Sequence, residues 1–93
     1  MTSPVTDNPA RSRYELVLDG GIAFIDYHRI GNLRVLTHSE VPPALRGRGI
    51  GAQLTAGALQ LAREQGERVE ARCSYVAQFI ARNPQYQDLL RQP

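Results

Sequence analysis

Arg46-Gly47-Arg48-Gly49-Ile50-Gly51 is the segment of this 93-residue chain whose residue types and spacing speak most directly to chemistry. Three glycines alternate with Arg48 and Ile50, between a predicted strand and a predicted helix. Without side chains, the backbone there is open to close approach by an anion. The free N–H groups of a first helical turn, with the helix dipole behind them, bind phosphate. Arg46 and Arg48 add charge-assisted donors. A merely flexible connection is the blander reading, and it is disfavoured because glycine at a helix start costs helix stability. The phosphate-loop pattern GxxxxGK[ST] is absent, and the chain has no Lys. The dinucleotide pattern GxGxxG fails because the spacing is GxGxG. Glu70 lies about the right distance downstream for a ribose contact. However, five residues, two of them Pro, separate the strand from the first glycine.

The elements around this segment follow from periodicity. Tyr14, Leu16 and Leu18 alternate over a first strand, Arg13 to Leu18. Asp19-Gly20-Gly21 signals a turn. Ile22 to Ile30 is apolar on both faces for much of its length, which predicts a central strand. Gly31-Asn32 makes the next turn. Over Leu33 to Val41, strict alternation puts Leu33, Val35, Thr37, Ser39 and Val41 on one face and Arg34, Leu36, His38 and Glu40 on the other. Pro42-Pro43 ends that strand. A helix from about Gly49 to Gln65 carries Ile50, Leu54, Ala58 and Leu61, and Gly66 stops it. Glu67 to Cys73 reads as a fourth strand, parallel to the third through a right-handed crossover. Ser74 is the expected N-cap of a second helix that ends at Asn83-Pro84. Tyr86, Leu89 and Leu90 share one side of a last turn.

Composition bounds the answer. The length suits one domain, expected over 13–93, with residues 1–12 as a flexible N-terminal tail. An apolar fraction of 42% and a charged fraction of 22% mark a globular chain. The net charge of +2 is mild, and all eleven basic residues are Arg. No charged run or aromatic interleaving points to nucleic acid. No stretch reaches the roughly 18 apolar residues that span a membrane, and no signal peptide is read. The single Cys73 leaves no intrachain disulfide, which fits a cytoplasmic setting. No metal site is read.

Arg46-Gly47-Arg48-Gly49-Ile50-Gly51 resembles the Q/R-x-x-G-x-G/A signature of the GNAT N-acetyltransferases. Thr37-His38-Ser39-Glu40-Val41-Pro42-Pro43, Leu45-Arg46-Gly47, Cys73-Ser74-Tyr75-Val76 and Asn83-Pro84-Gln85-Tyr86 are similar to the minimal single-domain GNAT proteins of the YjdJ type. The likeness covers about Tyr14 to Leu90. It implies an α/β (α+β) minimal GNAT fold, in which an antiparallel three-strand meander is followed by helix, parallel strand and helix. It further implies a V-shaped cleft for acetyl-CoA between the third strand and the strand ending at Cys73. Val41 and its neighbours would meet the pantetheine and acetyl carbonyl. Gly47 to Ala52, which includes Arg48, Gly49, Ile50 and Gly51, would hold the pyrophosphate, and Arg46 would assist. The implied acceptor is a small amine or a protein lysine, and the implied state is a monomer or weak homodimer.

Acyl transfer to an amine needs a neutral nucleophile, a polarised carbonyl and a proton for the departing thiolate. Many GNAT enzymes supply that proton from a tyrosine on the helix after the fourth core strand. Here Ala81 falls at that place. Cys73, at a strand end and a helix start, is the substitute, either as proton donor or as a transient acetyl carrier. Equally, it reads as a small buried hydrophobe. Glu40 is preferred as acceptor of the amine proton, while His38 and His28 read as ordinary strand residues. Tyr75 could donate a hydrogen bond, although an aromatic at a helix start usually packs. Asn83 either contacts the coenzyme or marks the helix end. The missing tyrosine and the short chain keep a second function open, a non-catalytic acyl-CoA binding or sensing module.

Overall fold

The computed structural model describes residues 4–90. In chain order the elements are β1 (Thr6–Asn8), β2 (Arg13–Leu18), β3 (Gly21–Ile30), β4 (Leu33–Glu40), α1 (Ile50–Glu64), β5 (Arg68–Ala71) and α2 (Ser74–Arg82). Short 3-10 helices lie at Pro9–Arg11, Pro43–Leu45 and Pro84–Leu89. The five strands form one sheet in sequence order. β1 to β4 are antiparallel, and β4 pairs with β5 in parallel. The meander–helix–parallel strand–helix order is the one expected, and β3 is the central strand. No described helix is long and apolar enough to cross a membrane.

One face of the sheet carries the core. Tyr14, Leu16, Ala23, Ile25, Tyr27, Leu36 and Val69 are buried there against Leu54, Ala58, Leu59 and Ala62 of α1 and Val76 and Ile80 of α2. The helical residues recur three and four apart, as a single buried stripe requires. On the opposite face Val17 and Ile22 of β2 and β3 remain exposed, as does Ile30.

Strict alternation does not hold along β4. Asp26 is paired with His38, but the next residue, Tyr27, is paired with Leu36, so Thr37 has no cross-strand partner. This β-bulge reverses the parity of the strand. Arg34 and Leu36 face the helices before it, and Ser39, opposite the buried Ile25, faces them after it. Val41 packs against the same core. The expected faces are therefore corrected. Leu33 and Val35 lie on the open face, and Ser39 and Val41 do not share it. Thr37 Oγ1 donates to the Asp26 carbonyl at 3.3 Å, which anchors the bulge.

The expected tail over 1–12 also gives way, over the described part from residue 4; residues 1–3 lie outside the described residues, as do 91–93 of the expected domain. Val5 is buried, and β1 pairs with β2 through Thr6↔Glu15, Asp7↔Tyr14 and Asn8↔Arg13. A charge inside the core also ties β1 down. The Arg34 side chain is 2% exposed. Its Nη1 and Nη2 donate to Asp7 Oδ2 at 3.3 Å, and Nη1 donates to Tyr14 Oη at 3.2 Å. Its Nε lies 2.9 Å from Glu67 Oε1, although the N–H is not aimed along that line. Tyr27 Oη donates to Asp7 Oδ1 at 2.6 Å, and its ring lies 4.4 Å from the guanidinium carbon. A buried cation needs such partners, and Asp7 brings β1 with it.

Candidate active site

β4 and β5 stay paired only as far as Leu36↔Ala71. The Leu36 carbonyl then accepts from both Arg72 N–H at 2.9 Å and Cys73 N–H at 3.0 Å. Beyond that point the chain after β5 turns into α2, while β4 runs on to Glu40. The edge of β4 left without β5 borders a pocket of about 530 Å³. The other walls are the glycine-rich segment, Leu54 and Thr55 of α1, and Tyr75 of α2.

The start of α1 is built to leave its amides free. Gly47 and Gly49 have φ of +82° and +73°, the left-handed region that a residue with a side chain enters at a cost. A Cβ at either position would meet nothing within 4 Å, so conformation, not crowding, requires glycine there. Gly49 is the N-cap and offers no side chain to cap the helix. The first intrahelical bond runs from Gln53 N–H to the Gly49 carbonyl at 3.1 Å. The N–H groups of Ile50, Gly51 and Ala52 precede it, at the positive end of a 15-residue helix. Gly51 is different. A Cβ there would lie 2.9 Å from Tyr75 Oη and 3.1 Å from Tyr75 Cζ. The missing side chain at Gly51 makes room for the tyrosine ring, which closes the pocket from the α2 side.

The structure brings together most of the residues singled out from sequence. Glu40, Val41, Arg46, Gly47, Gly49, Ile50 and Gly51 all line the pocket. Arg48 and Ala52 are exposed beside it on the same segment and are not among its lining residues. Arg46 Nε donates to the Val41 carbonyl at 3.1 Å, so this arginine also ties the loop to the end of β4. Asn83 is not brought to the pocket. Its Nδ2 donates to the Phe79 carbonyl at 2.8 Å, at the far end of α2, so of its two readings the helix-end one fits. His38 lines the pocket with Glu40, and its ring lies 6.4 Å from that of Phe24.

Cys73, not Ser74, is the N-cap of α2. It is half-buried and stands behind the pocket rather than among its lining residues. Its Sγ lies 3.3 Å from Ser39 Oγ, which does line the pocket. Burial pushes the Cys73 thiol up. The Ser39 hydroxyl and the backbone amides of Val76, Tyr75 and Ser39 outweigh this and hold it below its ordinary value. None of these contacts has the geometry of a side-chain cap, so the helix-start amides act on the sulfur as dipoles.

Among the pocket residues not singled out as site residues from sequence, Ser39 and Tyr75 bear most on chemistry. Ser39 was on the wrong face until the bulge turned it, and a bulge leaves no mark on simple alternation. The one available sign was the polar run Thr37-His38-Ser39, where no apolar residue pins the register. Of the two readings of Tyr75, packing does not describe it well: it is 44% exposed over Gly51.

Residues 13–89 match the pattern of the family described as GCN5-related N-acetyl-transferase. The chain is similar to a protein named NATD1 from Bos taurus, 40% identical over 70 residues, which are 74% of this chain and 62% of that protein. It is similar to the NATD1 protein of Danio rerio, 32% identical over 90 residues, 94% of this chain and 82% of that one. The chain thus spans under two thirds of the length of the Bos taurus relative. Among solved structures it resembles a GCN5-like protein of Staphylococcus aureus with a TM-score of 0.70 at 22% identity, over 100% of this chain and 93% of that one. That likeness is one of fold.

Proposed function

The chain belongs to the GCN5-related N-acetyltransferase family, and from that premise we propose that it transfers the acetyl group of acetyl-CoA to a primary amine. The observation that carries this reading is the uncapped start of α1, opened by two left-handed glycines onto a pocket of about 530 Å³ beside the free edge of β4. Coenzyme A presents a pyrophosphate on a long pantetheine arm, and the donors present fit it. The Ile50, Gly51 and Ala52 amides suit the pyrophosphate, with Arg48 exposed nearby. The edge of β4 from Ser39 to Val41 suits an amide-bearing arm.

When bound, the coenzyme supplies an activated thioester whose sulfur departs as a thiol. The residues of the chain divide the remaining work. Helix-start amides hold the anionic end and fix the reacting group against β4. Glu40, on the open face opposite Phe24, accepts the proton that the acceptor amine loses, directly or through water. The Ser39–Cys73 pair, on the helix face, holds the proton that the departing sulfur needs. A protein lysine or an exposed small amine is the proposed acceptor. A cytoplasmic setting belongs to the same proposal, since Cys73 has no partner cysteine in the chain.

One observation favours a second reading, a non-catalytic acyl-CoA binding module. Ala81, at the place where many relatives carry a tyrosine donor, offers no proton and faces solvent. Incubation with radiolabelled acetyl-CoA and a panel of amines and basic peptides separates the two. Label in an acceptor supports the enzyme, and coenzyme binding without transfer supports the module.

A further inference from the structure

Cys73 is the sulfur with the lowered proton affinity, but Ser39 is the residue that lines the pocket. Their side chains, 34 residues apart in sequence, lie 3.3 Å from each other across the place where β4 and the chain after β5 part. Three features hold this pair. The bulge at Thr37 turns Ser39 to the helix face, opposite Ile25, and β3 fixes its backbone there. The Leu36 carbonyl grips the Cys73 N–H at 3.0 Å. The Cys73 carbonyl accepts from Ala77 N–H at 3.0 Å, which starts α2 and directs its first amides at the sulfur.

A hydroxyl has one proton to donate and two lone pairs to accept with. Ser39 can therefore donate to the Cys73 sulfur when it is a thiolate, and accept from the S–H when it is a thiol, which frees the Ser39 proton for the pocket. The geometry points to Ser39 as the group that hands the proton to the departing sulfur, with Cys73 as the store that refills it. This rests on the proposed acetyl transfer. In the step, the acceptor nitrogen bonds the acetyl carbon and the carbon–sulfur bond breaks. The departing sulfur takes the Ser39 Oγ proton as Cys73 Sγ–H passes its own to Ser39 Oγ. The Cys73 thiolate that remains faces the amides at the start of α2. The surplus proton on the acceptor nitrogen goes to Glu40 and out to water, and water returns a proton to Cys73. Ser39 and Glu40 are neighbours in sequence on opposite faces of β4, paired with Ile25 and Phe24. The acid and the base are thus kept apart by the strand.

The test compares wild type with Ser39→Ala, Ser39→Thr, Cys73→Ala, the Ser39→Ala/Cys73→Ala pair and Tyr75→Phe, each normalised to folded protein. The relay requires Ser39→Ala to lower kcat on the order of 10²-fold, the size of a general acid's contribution. Coenzyme affinity should stay unchanged. Cys73→Ala should cost a similar factor, the double variant should be no worse than either single, and Ser39→Thr should recover most of the loss. In parallel, the pH profile of iodoacetamide alkylation at Cys73 should move to higher pH in Ser39→Ala and stay in place in Ser39→Thr. Full kcat in folded Ser39→Ala overturns the relay while leaving the acetyl transfer intact. So does a large loss in Tyr75→Phe with Ser39→Ala unaffected. A wild-type chain that binds coenzyme but transfers nothing overturns both.

Discussion

Replacing Arg34 by methionine isolates the buried charge that holds the N-terminal strand. The substitution keeps most of the side-chain volume and removes the cation. Glu67, with a side chain 4% exposed, then loses the guanidinium 2.9 Å away. Asp7 loses its two contacts at 3.3 Å but keeps the Tyr27 hydroxyl at 2.6 Å. Breaking a buried pair from one side costs about 3–5 kcal/mol. The lower end applies here, because Arg29 lies 3.4 Å from Glu67 Oε2 and, at 59% exposure, has room to move closer. At about 4–8 °C per kcal/mol for a domain of this size, the melting temperature should fall by at least roughly 12 °C. Adding Glu67→Gln should restore part of the loss, since a neutral amide is cheaper to bury than a carboxylate left with the exposed Arg29 alone. Urea unfolding of wild type, Arg34→Met and the double variant measures this. The reasoning fails if Arg34→Met lies within about 1 kcal/mol of wild type, or if adding Glu67→Gln makes it worse.

Two glycines of the signature should behave differently. Gly49→Ala forces a side chain into φ +73° and should cost about 1–2 kcal/mol in melting experiments, even without ligand. Gly51→Ala needs only the exposed end of Tyr75 to swing away, so stability should change by less than about 1 kcal/mol while calorimetry shows weaker coenzyme binding. Glu15 gives a pH signature. Its hydrogen bonds from Arg13 and then Asn8 hold its carboxyl below the ordinary glutamate value despite partial desolvation. A depressed folded value means stability that is present above the unfolded pKa and lost as pH falls through the folded one. Glu15→Gln should flatten the acid limb of the melting temperature below about pH 4.5 and change little near pH 7.

Much of this was legible from residue order. β2, β3, β4, α1 and α2 begin and end within a few residues of the expected places, because alternation, Gly turns and Pro stops are local signals. The glycine-rich segment stood out for the same reason: φ above zero at Gly47 and Gly49 is a demand that glycine meets locally. What was missed is not local. Nothing around Val5 and Asp7 announces a strand. The buried Arg34, 27 residues after Asp7, and the core contact of Val5 tie that segment to the sheet. The parity of β4 depends on where β3 slips past it at Thr37, and that register brings Ser39 to Cys73. Asn83 is ambiguous in sequence because an asparagine suits both a ligand contact and a helix end; its side chain bonds the Phe79 carbonyl at the end of α2.

Titration of the isotopically labelled chain with coenzyme A, followed by amide chemical shifts, tests the central claim most directly. The account predicts saturable shifts concentrated at Gly47, Gly49, Ile50, Gly51 and Ala52, with smaller ones at Ser39, Glu40 and Tyr75. The amides of His28, Glu70 and Asn83 should stay still. No saturable shifts, or shifts centred on the open sheet face around His28 and Glu70 instead of the start of α1, would contradict it.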